Sequence, residues 1–259
     1  MVTFLEKIII LNKSKRIFKN WIIFPLSYFG LLKRDFIIFK TNSKKILKIR
    51  KDSTDLMALI NVWLLEEYDH PNFTIHSEDV VIDVGAHIGL FTVYASQFCN
   101  NGKIISFEPI KENYELLIEN ARINNLKNVV IYNLGVSSDS ENLKIYLNND
   151  QSGHSKFSQT SKSVLVKSTS LKKIFDENCI EFCNFLKMDC EGSEYEIIRE
   201  LPPEHLSKIE KMIIEYHMAD SHPELLAELE IKLRQYFQVD IRPSINGMGI
   251  IYAQKINSL

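Results

Sequence analysis

The sequence predicts an α/β fold in which helices cover a mostly parallel β-sheet. Short apolar runs alternate with segments of helical periodicity over residues 80–233, which is the pattern of repeated βαβ units. The first run, at 80–84, is followed by Gly85 and Gly89 in a turn that leads into a helix, as in the first unit of many α/β domains. At 259 residues, 45% of them apolar, the chain can form one such domain with an appendage.

Apolar runs predict five buried parallel strands, followed by an antiparallel hairpin at the C-terminus. The five runs lie at 80–84, 103–107, 129–134, 185–188 and 212–216. The hairpin comprises 237–241 and 249–255, so the predicted sheet has seven strands. Residues 142–168 are less regular, because two strand-like runs, 143–147 and 163–167, flank a polar loop.

Residues 35–76 predict a strand and helix lead-in that packs on the core. The runs at 36–39 and 45–49 are typical of two short strands joined by a turn. Residues 54–68 then carry apolar side chains on one helical face before the chain reaches Pro71. We expect this lead-in to cover one end of the sheet, and the domain proper to span 77–259.

Residues 1–34 form a basic amphipathic segment. Residues 1–51 hold 13 of the 31 Lys and Arg residues but two of the 33 acids, which gives a net charge of +11 there and −13 over the rest. Such a segment can lie on an anionic membrane surface, or it can pack on its own domain with its lysines in water. It lacks both a spanning apolar run and a signal-peptide cleavage site, so we expect a cytoplasmic, at most membrane-peripheral protein.

The cysteines give no sign of a disulfide framework or a structural zinc site. They are Cys99, Cys179, Cys183 and Cys190. None is arranged in a C-x-x-C pair, which indicates reduced thiols of a cytoplasmic protein.

The turn after the first strand predicts a cofactor site without phosphates. Its sequence, DVGAHIG over 83–89, has His87 where a dinucleotide-binding turn has the glycine that lets the backbone approach a pyrophosphate. The spacing resembles the acid-x-Gly-x-x-x-Gly turn of S-adenosylmethionine-dependent methyltransferases, in which Asp83 could hold the ligand's ammonium group. The alternative is a tight strand-to-helix turn that binds nothing.

Glu108 ends the second strand, 23 residues after Gly85. An acid at this position can accept hydrogen bonds from both ribose hydroxyls of an adenosyl ligand, although it could also cap the following helix. With Asp83, the predicted cofactor contacts are Gly85, Ala86, His87, Gly89, Glu108, Gly135 and Asp189.

Polar residues also follow the fourth and fifth predicted strands. Asp189 and Glu191 lie just beyond the fourth strand, and Glu215 and His217 lie at the end of the fifth. Ligands of open α/β sheets bind outside the carboxyl ends of the strands, so these four groups are expected to share one opening with Gly85. Each could serve as a helix cap or a structural residue alone, but their convergence indicates a functional site.

With these residues, the sequence resembles the FkbM family of S-adenosylmethionine-dependent methyltransferases. The matching segments are DVGAHIG at 83–89, FEP at 107–109, KMDCEGSE at 187–194 and IEYH at 214–217. The resemblance covers about residues 35–255 and differs at His87, where Asn is common, and at Cys190, where an aliphatic residue is usual.

The resemblance implies a Rossmann-like class I methyltransferase fold and O-methylation of a sugar hydroxyl on a glycan or glycosylated metabolite. An alcohol has a pKa of roughly 15 to 16 and needs a base or a metal to remove its proton. We predict His217 as the base, oriented by Glu215 or Asp189. Alternatively, Asp189, Glu191, Glu215 and His217 bind Mg²⁺ or Mn²⁺. Glu191 is also expected to contact the acceptor.

The polar loop contains His154 and Ser155, which are candidate acceptor contacts, although long polar loops are either functional or disordered. Three other functions stay open at this stage. N- or carboxyl-methylation of a small molecule needs less help from a base. Nucleic-acid binding through the basic N-terminus conflicts with the acidic core. An NAD-linked oxidoreductase conflicts with His87.

Overall fold

A computed structural model of the chain describes residues 4–138, 142–146 and 163–256. The strands are β1 (Phe36–Lys40), β2 (Ile46–Arg50), β3 (Val80–Val84), β4 (Lys103–Phe107), β5 (Val129–Tyr132), β6 (Gly135–Ser137), β7 (Asn142–Tyr146), β8 (Ser163–Ser170), β9 (Cys183–Asp189), β10 (Ile209–Tyr216), β11 (Phe237–Pro243) and β12 (Gly249–Lys255). The α-helices are α1 (Phe4–Ile17), α2 (Ile23–Tyr28), α3 (Asp55–Leu59), α4 (Leu90–Ala95), α5 (Lys111–Ile123), α6 (Leu171–Glu177), α7 (Glu194–Glu200), α8 (Pro203–Leu206) and α9 (Pro223–Arg234).

The core is a seven-stranded sheet in the order β11-β12-β10-β9-β3-β4-β5. The five strands from β10 to β5 pair in parallel, whereas β12 is antiparallel to both β10 and β11. Continuous apolar runs form these strands because helices cover both faces of a parallel sheet, and Val81, Ile82, Ile104 and Ile105 have no exposed surface. The prediction of a mostly parallel seven-stranded sheet with a C-terminal antiparallel hairpin is confirmed.

The sheet has its topological switch point between β3 and β9. The chain runs outward from β3 through β4 to β5, and then returns to place β9 on the other side of β3. In register, Asp83 lies beside Lys187, and Asp189 lies beside Glu215 on the next strand. The predicted acids therefore lie at one edge of the sheet, outside the carboxyl ends of its central strands, where ligands of such folds bind.

A second, three-stranded sheet follows β5. Its order is β6-β8-β7, with β8 parallel to β6 and antiparallel to β7. The predicted strand at 129–134 is shorter in the structure, ending at Tyr132. Beyond it, the Asn133 side chain donates hydrogen bonds to the carbonyls of Glu108 and Pro109 at 2.9 and 3.0 Å. The chain then starts the separate strand β6, which was not predicted.

The lead-in forms the β1–β2 hairpin and a helix that changes type. The predicted helical pattern over 54–68 is confirmed for residues 55–65, where α3 continues as a π-helical turn at Ile60–Leu65. The helix ends earlier than expected, because Glu66 takes a left-handed backbone conformation with φ 56°. Trp63 donates from its indole nitrogen to the carbonyl of Leu90 at 3.2 Å. This bond fixes the π-helical turn beside the first turn of α4.

The N-terminal segment packs on the lead-in. Ile10, Phe18 and Phe24 are buried in the same apolar cluster as Trp63, and the ring of Phe18 lies 5.0 Å from that of Phe39. Other apolar side chains of the segment are exposed, namely Ile8, Ile9, Ile22, Tyr28, Phe29 and Leu31. Within the described residues, no helix combines the length and apolarity needed to cross a bilayer.

Phe18→Ala tests whether the N-terminal segment is part of the folded domain. Phe18 is 1% exposed, so the cavity left by truncation should lower the free energy of unfolding by about 3–5 kcal/mol. Phe29→Ala is the matched control, because Phe29 is 70% exposed and its loss should change stability by about 0.5 kcal/mol or less. Urea denaturation measures both, and equal midpoints for the two variants would contradict the packing of α1 and α2 on the domain.

Candidate active site

A cavity of about 360 Å³ opens at the carboxyl ends of β3, β4, β9 and β10. Its lining comes from the turn after β3, the ends of β4 and β9, the small sheet and the lead-in. The lining includes Thr54, Met57, Asn61, Tyr68, Gly85, Ala86, His87, Phe91, Phe107, Glu108, Gly135, Leu143, Lys187, Asp189, Cys190, Glu191 and Glu215. The volume lies within the roughly 300–1,000 Å³ range of small-molecule and cofactor sites.

The turn after β3 lies directly against the end of β9. Gly85 has φ +70°, and a Cβ there would lie 1.7 Å from the carbonyl oxygen of Asp189, so only glycine fits. The amides of Gly85 and Ala86 both donate to the carbonyl of Phe107, at 3.0 and 2.9 Å. Gly89, with φ +84°, packs against Leu117 and is not part of the cavity lining.

Asp83 lies behind the cavity wall. Its carboxylate has no exposed surface, forms an ion pair with Lys187 at 3.2 Å and accepts a hydrogen bond from the Thr92 hydroxyl at 2.7 Å. Lys187 also donates to the carbonyl of Gly85 at 2.7 Å. Direct contact between Asp83 and a cofactor's ammonium group stays a prediction that this placement does not favour.

Glu108 is buried at the cavity wall with its carboxylate already oriented. One oxygen accepts a hydrogen bond from the amide of His87 at 2.8 Å, and the other accepts one from the amide of Ile110 at 2.9 Å. Burial raises the pKa of Glu108 to about 7, although these hydrogen bonds and that of Asn113 act in the opposite direction. Because Oε1 also accepts a hydrogen bond from the Asn113 side-chain amide at 3.4 Å, the lone pair left for a ligand hydroxyl is on Oε2.

His87 links the turn after β3 to the lead-in. Its φ is 51°, in the left-handed region, and its ring nitrogen lies 3.4 Å from both Arg50 and Asp55. Arg50 in turn forms a two-point ion pair with Asp55 and donates to Asn113. Burial lowers the pKa of His87 to about 4 despite the nearby Asp55 carboxylate, so the ring is neutral at pH 7.

Asp189, Glu191, Glu215 and His217 form what we call the acidic cluster. The Nε2 atom of His217 lies 3.5 Å from Glu191, 3.8 Å from Asp189 and 4.0 Å from Glu215. Burial raises the pKa of Glu215 well above its ordinary value, and the neighbouring Asp189 carboxylate raises it further. The structure therefore brings the four predicted groups together. Asp189, Glu191 and Glu215 line the cavity, whereas His217 is buried and is not part of the lining.

The charge state of His217 differs from the expected one. Burial lowers its pKa, but the hydrogen bond of Glu194 and the charges of Glu191, Glu194 and Asp189 outweigh this and raise the pKa to about 10. An imidazole with that pKa is protonated at pH 7 and accepts no further proton. The structure therefore does not support free His217 as the general base.

Glu194 orients His217 in place of the expected Glu215 or Asp189. It has no exposed surface, and one oxygen lies 3.3 Å from Nδ1 of His217 while also accepting the His217 amide at 2.9 Å. Its other oxygen accepts from the amide of Gly192 at 2.7 Å. Glu194 ends the segment 187–194 that resembles the family. Its place in the first turn of α7 is one where acids are common in any helix, so its contact with His217 was not predicted.

Two further residues were not expected at the site. Lys187 precedes Asp189 by two positions, and this alternation within a buried strand was a signal that both side chains lie on the same face. Glu67 follows the π-helical turn, and burial together with the Asp189 carboxylate raises its pKa to about 7. The predicted loop residues His154 and Ser155 lie outside the described residues, so their contact with the acceptor stays a prediction.

A family model described as Methyltransferase FkbM domain matches residues 83–238, which is more than half of the chain. The chain belongs to the FkbM methyltransferase family.

Relatives and solved structures agree with the family assignment. The chain is 25% identical over 199 residues to "Methyltransferase sdnD" of Sordaria araneosa, covering 64% of this chain and 76% of the relative. It is 22% identical over 160 residues to "Methyltransferase 1" of Beauveria bassiana (strain ARSEF 2860), covering 53% of this chain and 64%, less than two thirds, of that relative.

Two solved structures share the fold of this FkbM-family chain. Methyltransferase FkbM from Methylobacillus flagellatus KT superposes with a TM-score of 0.50 and 18% identity, covering 76% of this chain and 53% of that one. The fibrillarin pre-rRNA processing protein of Methanococcus jannaschii gives a TM-score of 0.50 and 12% identity, with coverages of 85% and 83%. The expected Rossmann-like class I methyltransferase fold is confirmed.

His87→Asn should alter how stability depends on pH. In the folded protein His87 protonates near pH 4, whereas in the unfolded chain it protonates near 6.5. As the pH falls from 6.5 to 4, the unfolded state therefore binds more protons, and the wild type should lose on the order of 2 kcal/mol relative to the variant. Urea midpoints at pH 7, 5.5 and 4.5 measure the difference, and parallel curves for the two proteins would refute it.

Proposed function

We propose that this protein is an S-adenosylmethionine-dependent O-methyltransferase that acts on a sugar hydroxyl of a glycan or glycosylated metabolite. The observation that supports the proposal is that one cavity is lined both by Glu108 with the turn at Gly85 and by residues of the acidic cluster. Glu108 and the turn at Gly85 form the wall that we assign to the cofactor, and Asp189, Glu191 and Glu215 are the cavity-lining members of the acidic cluster.

The cofactor wall fits an adenosyl ligand better than a dinucleotide. Glu108 presents a buried carboxylate at the end of β4, where such an acid pairs with ribose hydroxyls. The amides of Gly85 and Ala86 both donate to the Phe107 carbonyl, and the side chain of His87 occupies the middle of the turn. The turn residues Gly85, Ala86 and His87 therefore do not offer the free backbone amides and open glycine backbone that a pyrophosphate needs. When bound, S-adenosylmethionine supplies an electrophilic methyl group.

The acidic cluster supports an alcohol acceptor. Carboxylates accept hydrogen bonds from hydroxyl groups, so Asp189, Glu191 and Glu215 can orient neighbouring hydroxyls of a sugar and withdraw a proton from one of them. Aligning the acceptor oxygen accounts for much of the rate of a displacement reaction, and Phe91 and Phe107 exclude water from the cavity wall.

The same negative charge argues against the other acceptor classes. Carboxylate acceptors and nucleic-acid phosphates would be repelled by the carboxylates of Asp189 and Glu191 at the cavity. An amine acceptor would be attracted and needs less help with its proton, so N-methylation is the main competing function. Transfer of labelled methyl groups to sugar acceptors or to amine acceptors distinguishes O-methylation from N-methylation.

At pH 8, above the pKa of about 7 of Glu108, Glu108→Ala should weaken the binding of S-adenosylhomocysteine by about 10- to 100-fold, because hydrogen bonds to a charged group contribute about 1.5–3 kcal/mol. Isothermal titration calorimetry measures the dissociation constants. Glu112→Ala is the control. Glu112 is an exposed acid in the first turn of α5, four residues after Glu108, and its loss should leave binding unchanged. The wild type should then transfer labelled methyl groups to sugar acceptors. Absence of S-adenosylhomocysteine binding, or transfer to amines alone, would overturn the proposal.

We further propose that the N-terminal segment contacts an anionic membrane surface. Tyr28, Phe29 and Leu31 are exposed and lie next in sequence to the exposed cations Lys33 and Arg34. Apolar insertion combined with attraction to anionic lipids is the usual basis of peripheral binding. Deleting residues 1–34 is a poor test, because α1 and α2 contribute to the buried core.

The double variant Phe29→Ser, Leu31→Ser should therefore sediment several-fold less with phosphatidylserine-containing vesicles than the wild type. Each serine removes exposed apolar surface without opening a core cavity. Ile245→Ser is the matched control, because Ile245 is 66% exposed on the hairpin between β11 and β12. Equal sedimentation of all three proteins, or binding that does not depend on anionic lipid, would argue against a membrane role.

A further inference from the structure

We propose that Asp189, Glu215 and His217 bind a divalent cation, with Nε2 of His217 as the nitrogen ligand and Mg²⁺ or Mn²⁺ as the metal. The cation's part in methyl transfer rests on the function proposed above, whereas its binding does not. The first observation is that each of the three residues offers a ligand atom within 4.8 Å of the other two.

The distances suit a small cation. Ligand atoms at about 2.1 Å from Mg²⁺ lie about 3.0 Å apart when adjacent and about 4.2 Å apart when opposite. Nε2 of His217 lies 3.8 Å from Asp189 and 4.0 Å from Glu215, so the three groups are within reach of one cation and would draw closer to one another on binding it. Two oxygens with one imidazole form a ligand set suited to Mg²⁺ or Mn²⁺ that keep bound waters.

The second observation is the state of the His217 ring. The residue is 5% exposed, and among the described residues Nε2 has no hydrogen-bond partner although it faces the acidic cluster. A buried polar atom without a partner is costly, and a ring placed 3.5–4.0 Å from three carboxylates has not closed on any of them. A cation between Nε2 and the carboxylates would satisfy all of these groups.

The third observation is the contact on the far side of the ring. Glu194 lies 3.3 Å from Nδ1 and is itself held by the amides of Gly192 and His217. A carboxylate on one ring nitrogen is the usual partner of a metal-ligating histidine, because it keeps a proton on Nδ1. The cation would displace the second proton from Nε2 to solvent, and the Nε2 lone pair would then bind the metal. The hydroxyl of Tyr195 also donates to the carbonyl of His217, which fixes the backbone that carries the ring.

A cation here would also supply the acceptor chemistry that free His217 does not. Glu191 adds a further carboxylate 3.5 Å from Nε2 of His217, and a divalent ion would offset the repulsion between the acids of the cluster. An alcohol bound to the cation would lose its proton more readily, because a Lewis acid stabilises the alkoxide. The carboxylates that do not bind the metal would then receive the proton.

The test is a titration of the chelator-treated full chain with Mn²⁺. Binding is measured as the loss of the free Mn²⁺ signal in electron paramagnetic resonance. The wild type should bind one ion per chain, and His217→Gln and Glu215→Gln should each weaken binding at least tenfold. Glu194→Gln should weaken it by about 10- to 100-fold through the ring. Glu200→Gln, an exposed acid at the end of α7, should have no effect.

Binding of S-adenosylhomocysteine to the same metal-free samples reports on folding and separates the two proposals. Variants that keep this affinity but lose Mn²⁺ binding would support the cation site. A wild type that binds S-adenosylhomocysteine but not Mn²⁺ would overturn the cation site and leave the proposed function intact. Mn²⁺ binding that is equal in the wild type and the His217 variant would overturn it as well.

Discussion

The buried ion pair between Asp83 and Lys187 joins β3 to β9 at the switch point of the sheet. Its two side chains are almost fully buried, so neither charge is stable there without the other. Lys187 extends the pair by donating to the carbonyls of Val84 and Gly85, which holds the turn after β3 against the end of β9. The position of Asp189 relative to the turn follows from this contact, and the cavity is built around both.

The parallel core could be predicted because each central strand is apolar on both faces, so its residues form an uninterrupted run. The convergence of Asp189, Glu191, Glu215 and His217 could also be predicted, because carboxyl ends of parallel strands share one edge of the sheet. Periodicity could not reveal the π-helical turn, since a single extra residue per turn leaves the apolar pattern of a short segment almost unchanged.

The roles within the site were harder to predict than their location. Whether Asp83 lies in the cavity or behind it depends on the distance between β3 and β9, and whether His217 is protonated depends on the sum of surrounding charges. Glu194 illustrates the difficulty, because its sequence position is that of a helix-terminal acid and its contact to His217 spans 23 residues. Such pairings are properties of three-dimensional proximity and leave no local pattern in the chain.

The family match begins at residue 83, yet Thr54, Met57, Asn61 and Tyr68 from the preceding segment line the cavity. The part of the chain that matches the family model therefore holds the acidic cluster, whereas a segment that precedes it forms part of the cavity wall. Substitutions in that segment can change which molecules enter without disturbing the buried pair between β3 and β9.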